Sequence, residues 1–204
     1  RVLPEEQVDA WRRSQGLGDG FILFVGTLEP RKNLPFLLQA YASLPQATLP
    51  LVIVGGKGWY YDAIYGTVES LGLRDRVIFP GFVPQSDLVW WYNAAKVFVY
   101  PSLYEGFGWP PLEAMACGTP VIVTRSSSLP EVVGDGGIMI DPGDTQGLSE
   151  ALAGLLADLE QRRMWSAKGL ARAKAFSWQA TALQTTRLYH QVLGVERDEP
   201  FAGT

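Results

Sequence analysis

Residues 97–124 read VFVYPSLYEGFGWPPLEAMACGTPVIVT, and this stretch changes character twice. Apolar, largely β-branched runs at Val97–Ser102 and Pro120–Thr124 have the composition of buried strands. Between them, the apolar spacing over Pro110–Cys117 is typical of a helix. Proline suits the first position of a helix and glycine commonly follows its last, which fits both ends of this segment. Strand, helix and strand in this order predict a parallel crossover unit.

The rest of the chain repeats this alternation. Most of the short apolar runs are apolar throughout, as expected for strands covered on both faces of a sheet. The predicted fold class is therefore α/β, a doubly wound, mostly parallel, Rossmann-like sheet with a helical C-terminal segment. Further strands are predicted at Phe21–Gly26, Leu49–Gly56, Val77–Gly81 and Gly137–Asp141, further helices at Leu34–Leu44, Tyr61–Leu71 and Ser86–Ala95, and a short turn at Leu129–Val133.

The expected organisation is a single domain over residues 1–204. Within it, residues 1–20 form a lead-in, 21–143 the α/β core and 144–204 a helical tail that breaks near Phe176–Trp178. The opening, RVLPEEQ, is neither a signal peptide nor an initiator-methionine terminus, so we expect a piece of a longer polypeptide.

Composition excludes several classes of function. The chain has 17 Lys and Arg against 21 Asp and Glu, a net charge of −4 with no basic run, so nucleic acid is not an expected partner. One cysteine and one histidine cannot build a disulfide framework or a Cys/His metal site within the chain. The histidine, His190, falls on a late amphipathic helix and is expected at the surface or in packing.

In doubly wound sheets, ligands bind where strands turn into helices, and four such turns carry notable residues. The first is GTLEPRKN, in which Gly26 permits a tight turn and Arg31 and Lys32 place two cations just before a helix. Such a pair suits a diphosphate. The alternative is two solvated surface charges ahead of an Asn33 helix cap.

The second turn, VGGKGWYYD, is not a Walker loop, because Gly58 rather than Ser or Thr follows Lys57. It is either a flexible ligand-facing loop with Trp59 and Tyr60 packed beside it or a glycine-rich strand exit.

The third turn, Pro80–Pro84, offers free backbone groups suited to a planar base, and Gln85 or Ser86 could cap the helix that follows. The aromatic residues Trp90, Trp91 and Tyr92 on that helix are expected in the core or an interface.

The fourth turn places two carboxylates around bare glycine backbone. Glu113 is expected in the first turn of the helix, where a carboxylate complements the helix dipole by about 0.3–1 kcal/mol. The helix dipole does not explain Glu105, because this residue lies in the loop before the Gly-Phe-Gly segment and not in a helix. Acceptor side chains flanking free N–H groups suit a ligand with hydroxyls at both ends and phosphates between them, as in a nucleoside diphosphate sugar.

These residues carry a family resemblance. Glu105–Ile122 resembles the E-x7-E signature of retaining glycosyltransferases of family 4. GTLEPRKN resembles their donor-phosphate loop, and FSW before a helix resembles their C-terminal segment. The match runs from Phe21 to Leu193. It implies a GT-B fold, two Rossmann-like domains with the active site in the cleft between them, of which this chain resembles only the C-terminal, nucleotide-sugar-binding domain.

The resemblance also implies residue roles. Glu113 would bind the ribose hydroxyls and Glu105 the transferred sugar. Lys32, helped by Arg31, would hold the diphosphate and stabilise its departure without a metal. Thr27 stands where some relatives carry arginine, so one cation of that clamp is absent or replaced by Arg31. The expected catalytic residues are Glu105, Lys32 and Arg31, and the expected donor-binding residues are Gly26, Thr27, Arg31, Lys32, Gly56, Lys57, Phe82, Val83, Glu105, Gly106, Phe107, Gly108, Trp109, Leu112 and Glu113.

The implied activity is transfer of a hexose from a nucleoside diphosphate sugar to a hydroxyl of a carbohydrate or lipid-linked acceptor, with no cofactor or metal. VGGKGW resembles loops of family mannosyltransferases, which points to mannose from a GDP donor. The implied location is cytoplasmic, peripheral at the inner face of the membrane through the N-terminal domain. Without that domain, which would supply the acceptor site, this chain is expected to bind donor with little or no turnover.

Three alternatives fit the sequence less well. A sugar phosphorylase shares the fold, but the chain has no pyridoxal-holding lysine motif. A non-catalytic nucleotide-sugar-binding or regulatory module would not need the sugar-facing Glu105. A receiver-like signalling domain would need an aspartate at a strand end, which FILFVG lacks.

Overall fold

A computed structural model describes residues 1–45 and 49–194. The chain divides into two compact units, Arg1–Ala173 and Lys174–Thr204. Part of the predicted tail, residues 195–204, lies outside the described residues. In the described part of the second unit, Ser177 accepts a hydrogen bond from the Ala180 amide and caps the last helix.

Within the described residues, the first unit contains one sheet of parallel strands, which confirms the predicted fold class. The predicted strands are confirmed, most of them one or two residues shorter at an end than expected. The four inner strands are buried along their whole length, as expected where helices cover both faces of a sheet, whereas the two edge strands, Val77–Gly81 and Ile138–Ile140, are partly exposed. The strands are β1 (Ile22–Val25), β2 (Leu51–Val54), β3 (Val77–Gly81), β4 (Val97–Tyr100), β5 (Val121–Thr124) and β6 (Ile138–Ile140).

The strand order is β3-β2-β1-β4-β5-β6. Ile22 in β1 pairs with Leu51 in β2 on one side and with Val97 in β4 on the other. The chain therefore winds outward from β1 in one direction and then crosses back to β4 to continue in the other. Strand order reverses between β1 and β4, and their carboxyl ends form the crevice where doubly wound sheets bind ligands.

The helices follow the predicted pattern with two additions. One is an N-terminal helix within the predicted lead-in, in which Val8 is the single buried residue. The other is a break at Asp158, whose carboxylate accepts hydrogen bonds from the Glu160 and Gln161 amides. The helices are α1 (Glu5–Ser14), α2 (Leu34–Ala42), α3 (Asp62–Ser70), α4 (Gln85–Ala94), α5 (Trp109–Ala116), α6 (Leu129–Val133), α7 (Thr145–Ala157), α8 (Leu159–Ala173) and α9 (Trp178–Leu193).

The turns that leave β1 and β2 are joined by backbone hydrogen bonds. The Leu28 amide donates to the Gly56 carbonyl at 2.9 Å, and the Gly58 amide donates to the Leu28 carbonyl at 3.0 Å. The chains approach so closely that a Cβ at Gly55 would lie 1.9 Å from the Gly26 carbonyl oxygen. Glycine is therefore required at position 55 by contact with the neighbouring turn.

In the ranges 1–45 and 49–194, no helix combines the length and apolarity that crossing a bilayer requires.

Candidate functional site

A cleft of about 550 Å³ opens at the carboxyl ends of β1 and β4. Its wall comes from three places: the turn after β1, the last residue of β4 and the glycine segment that leads into α5. It therefore lies where the strand order reverses. The lining residues are Gly26, Thr27, Arg31, Lys32, Tyr100, Glu105, Gly106, Phe107, Gly108, Trp109 and Pro110.

A charged cluster forms the floor of this cleft. A short 3-10 helix, Pro30–Lys32, brings Arg31 and Lys32 back towards the sheet after β1. Glu105, which follows β4, lies between them: Lys32 Nζ is 2.6 Å from Glu105 Oε1, and Arg31 Nη1 is 2.7 Å from Glu105 Oε2. Both catalytic cations predicted from the first turn thus meet the carboxylate predicted from the fourth.

The members of the cluster differ in their access to solvent. Lys32 and Glu105 are buried, whereas the Arg31 side chain remains 41% exposed. Arg31 also donates to the Tyr104 carbonyl at 3.1 Å, and its Nε lies 2.5 Å from Oε1 of the buried Glu29. The sequence-based alternative of two solvated charges ahead of an Asn33 cap is wrong, because Lys32 is buried and the Asn33 side chain caps no helix.

Burial and charge act in opposite directions on the titration of Glu105. Burial alone would raise its pKa, but hydrogen bonds from Lys32 and Arg31 outweigh burial and lower the pKa. Burial also lowers the pKa of Lys32, and the attraction of Glu105 offsets this only in part, since Arg31 repels the ammonium. The charged form of Glu105 is therefore stabilised by two cations, whereas the charged form of Lys32 is stabilised by a carboxylate that it shares with Arg31.

Tyr100 is a cleft residue that the sequence interpretation did not include. Its hydroxyl accepts a hydrogen bond from Lys32 Nζ at 2.5 Å, and the same Nζ lies 4.8 Å from the ring centroid. Burial, and then the charge and hydrogen bonding of Glu105, raise the pKa of Tyr100, so the hydroxyl stays neutral. Its position in the sheet could have identified it, because Tyr100 is the last residue of the strand next to β1, and the turn after β1 carries Lys32.

The glycine segment is held by two serines after β5. The Glu105 amide donates to Ser127 Oγ at 2.8 Å, and Ser128 Oγ donates to the carbonyls of Glu105 and Phe107. Gly108 has φ of +115°, and a Cβ there would lie 2.9 Å from Leu129 Cδ2, so the last glycine before α5 is needed both for conformation and for space. The backbone around Glu105 is thus fixed before any ligand binds.

Glu113 lies in the second turn of α5, not in the first as predicted, because the helix already begins at Trp109. The helix-dipole explanation for this carboxylate therefore fails. Its oxygens accept hydrogen bonds from Tyr92 Oη at 2.8 Å and from Gln85 Nε2 at 3.1 Å. Glu113 has neutral partners on α4, whereas Glu105 has cationic ones.

The remaining predicted donor-binding residues do not line the 550 Å³ cleft. Lys57 is exposed, with its ammonium 4.7 Å from the Tyr61 ring centroid. Phe82 is 78% exposed on the turn after β3, and Leu112, a residue of α5, is buried. Gly56 and Val83, on the turns after β2 and β3, also lie outside the lining of this cleft, and so does Glu113.

Two predictions about the second and third turns are wrong. Trp59 and Tyr60 do not pack beside the second turn but are 57% and 79% exposed. Neither Gln85 nor Ser86 caps α4: the helix follows Pro84 without a side-chain cap, and Gln85 contacts Glu113 instead. The predicted burial of Trp91 and Tyr92 is confirmed.

Comparison with known proteins gives a family. The pattern of the family described as "Glycosyl transferases group 1" matches residues 7–172, which include the whole cleft. The chain is 44% identical over 189 residues to the O-antigen chain mannosyltransferase B of Escherichia coli, covering 91% of this chain and 50% of that protein.

Solved structures agree with the fold. Sucrose-phosphate synthase from Thermosynechococcus elongatus superposes with a TM-score of 0.83 at 34% identity, over 96% of this chain and 50% of that chain. The C-terminal domain of a group 1 family glycosyl transferase from Francisella tularensis gives 0.74 at 22% identity, over 85% of this chain and 94% of that chain. The chain thus spans about half the length of the mannosyltransferase and the synthase, and nearly all of the isolated C-terminal domain.

Proposed function

The chain belongs to the group 1 family of glycosyl transferases, and we propose that it is the donor-binding domain of a retaining, family 4 hexosyltransferase that uses a nucleoside diphosphate sugar. One observation carries the proposal: two cations and a carboxylate from turns distant in sequence converge on a glycine segment in one cleft. Cations suit the diphosphate, the carboxylate suits sugar hydroxyls, and backbone N–H groups of the glycine segment suit the phosphates between them.

The proposed chemistry uses the charges in the cleft. When the bond between the anomeric carbon and the phosphate oxygen breaks, its electron pair stays on the diphosphate, and the sugar becomes oxocarbenium-like. Lys32 and Arg31 stabilise the negative charge that develops on the leaving group. A hydroxyl of the acceptor then bonds to the anomeric carbon with its configuration kept, and the proton of that hydroxyl passes to the departing diphosphate oxygen. In this proposal the two cations are sufficient, and no metal or other cofactor takes part.

We assign the other end of the donor to Glu113, which would accept hydrogen bonds from the ribose hydroxyls. Tyr92 and Gln85 fix the carboxylate but leave lone pairs for a ligand, since a carboxylate accepts about four hydrogen bonds. The turn with Phe82 and Val83 would face the base.

Mannose is the proposed sugar and GDP its proposed carrier. The 44%-identical relative and a further 40%-identical one from Escherichia coli are named as mannosyltransferases, the first acting on the O-antigen chain. We also propose a role in polysaccharide synthesis with a carbohydrate or lipid-linked acceptor, and the O-antigen name of the first relative supports the carbohydrate part.

The acceptor site belongs, in this proposal, to an N-terminal domain of the same polypeptide. The chain covers half or less of these two relatives, and the Francisella tularensis structure that it covers almost fully is a C-terminal domain. Residues 1–204 alone would then bind donor without transferring sugar, and the intact protein would be cytoplasmic and peripheral at the membrane.

The test is a calorimetric titration of this chain with UDP, GDP and ADP, each with and without its hexose, repeated on Glu113→Ala. We expect selective binding of GDP and GDP-mannose, weakened about tenfold or more by the substitution through the lost hydrogen bonds to ribose. Binding that Glu113→Ala leaves unchanged would contradict the ribose assignment. No binding of any nucleotide would contradict the proposal itself, and sugar transfer by this chain alone would contradict its division of roles.

A further inference from the structure

We propose that Tyr100 is the positioning residue of Lys32, the neutral partner that holds the ammonium in place whether or not the donor diphosphate is bound. This inference rests on the proposed function, since it assigns a diphosphate to Lys32. Its basis is a pair of contacts from one side chain: the hydroxyl lies 2.5 Å from Lys32 Nζ, and the ring centroid lies 4.8 Å from it.

The Tyr100 ring is fixed more firmly than any charged member of the cluster. Tyr100 is 1% exposed and stacks between two phenylalanines, with centroids 5.8 Å from Phe24 on β1 and 5.9 Å from Phe98 on β4. Lys32, by contrast, has a long, flexible side chain that must be held by its partners. The rigid element in this contact is therefore the tyrosine.

The second partner of Lys32 cannot serve the same purpose. Glu105 carries a negative charge 2.6 Å from Nζ, so it competes with any phosphate for the same cation. When a diphosphate binds, it shares the positive charge of the ammonium with Glu105, so the Glu105 contact differs between the free and the bound state. A phenol hydroxyl carries no charge and accepts one proton of the ammonium, which leaves the other two protons for an anion. Tyr100 can keep its contact with Lys32 in both states.

This arrangement also counteracts the cost of burying Lys32. Burial lowers the pKa of Lys32, and Arg31 lowers it further by repulsion. A lone pair aimed at the ammonium favours its charged form. The charged and titratable groups facing Lys32 are then Glu105, Arg31, Glu29 and Tyr100.

The test removes the hydroxyl alone, with Tyr100→Phe, because the stacked ring is retained. The matched control is Tyr41→Phe, a buried tyrosine whose ring lies 4.6 Å from Arg76 Cζ and whose hydroxyl donates to the Leu49 carbonyl at 3.0 Å, away from the cleft. Each protein is titrated with GDP and UDP and with the corresponding nucleosides between pH 7 and pH 10, and thermal unfolding is recorded.

We expect Tyr100→Phe to weaken diphosphate binding about threefold to tenfold, the effect of one lost hydrogen bond, with nucleoside affinity unchanged. The alkaline decline of diphosphate affinity should start at lower pH, because Lys32 loses its proton more easily. Tyr41→Phe should alter only thermal unfolding.

Unchanged diphosphate affinity and pH profile in Tyr100→Phe would overturn the inference while leaving the proposed function intact. Equal weakening of nucleoside and diphosphate would also overturn it, since that result indicates a general structural effect. If the unaltered chain binds neither nucleotide, the proposed function fails, and this inference fails with it.

Discussion

Replacing Glu105 by glutamine should strengthen the binding of a free nucleoside diphosphate, although Glu105 is proposed as part of the donor site. The reason is the charge balance of the cluster. Arg31 and Lys32 contribute two positive charges, and Glu29 and Glu105 contribute two negative ones, so their formal charges cancel. A diphosphate must therefore compete with Glu105 for cations that are already paired. Glutamine keeps the shape of the side chain and removes that competition.

The contacts set the magnitude. Glu105 makes two short charge-assisted hydrogen bonds, of 2.6 Å to Lys32 and 2.7 Å to Arg31. One such bond is worth about 1.5–3 kcal/mol. The glutamine carbonyl recovers part of one bond, so we expect a net gain of about 1.4 kcal/mol, or about tenfold, in affinity for GDP or UDP. The sugar-bearing donor loses its contact with the carboxylate, so its advantage over the free nucleotide should shrink.

The assay is calorimetry of the unaltered chain, Glu105→Gln and Glu113→Gln with each nucleotide and nucleotide sugar. Glu113→Gln is the matched control, because it removes the same charge but its partners, Gln85 and Tyr92, are neutral and no cation is released. It should weaken nucleotide binding. Thermal unfolding of each variant separates folding defects from binding effects.

An affinity of Glu105→Gln for free diphosphate equal to or below that of the unaltered chain, in a protein that remains folded, would refute this reasoning. It would mean that Glu105 positions the cations for phosphate rather than competing with phosphate for them.

Two further predictions concern stability. Gly55→Ala should lower the free energy of unfolding, measured in urea, by about 1–3 kcal/mol, because the added methyl overlaps the Gly26 carbonyl. The control, Gly56→Ala, should have little effect, because no heavy atom lies within 4 Å of a Cβ at that position. Equal losses of stability in the two variants would contradict the contact argument. The folded-state pKa of Glu105 is lowered, so its contribution to stability is complete above the ordinary carboxyl range and is lost as pH falls through the folded-state value. At pH values below about 4, the urea midpoint should therefore fall less steeply with pH in Glu105→Gln than in the unaltered chain. Parallel pH profiles of the two proteins would argue against this role of Glu105.

The strands and most helices could be predicted because their signal is local. Uniform apolar runs such as Leu51–Val54 identify buried strands without knowledge of their neighbours. The helix α5 begins at Trp109, within one residue of the start that the prolines predicted, but Glu113 is the fifth residue from that start and lies in the second turn, where the dipole argument does not apply.

The partners within the site could not be predicted, because they depend on strand order. Lys32 meets Tyr100 and Glu105 only because β4 lies beside β1, although two strands separate them along the chain. Residue types at single turns pointed to the cations and carboxylates one at a time, and the structure brings three of them, Arg31, Lys32 and Glu105, together in one cleft. The pairing of Glu113 with Tyr92 likewise requires α4 and α5 to be adjacent, which sequence spacing does not reveal.

The cancelled charge of the cluster also has a consequence for the rate at which ligands arrive. Long-range attraction of an anion grows with the net charge that it meets, and opposite charges 2.5–2.7 Å apart cancel each other's field within a short distance. Inorganic phosphate and other small anions in the cell are therefore not drawn to this cleft in preference to bulk water. Under the proposed function, a ligand would therefore need contacts with the walls of the cleft as well as with the cations in order to compete with Glu105.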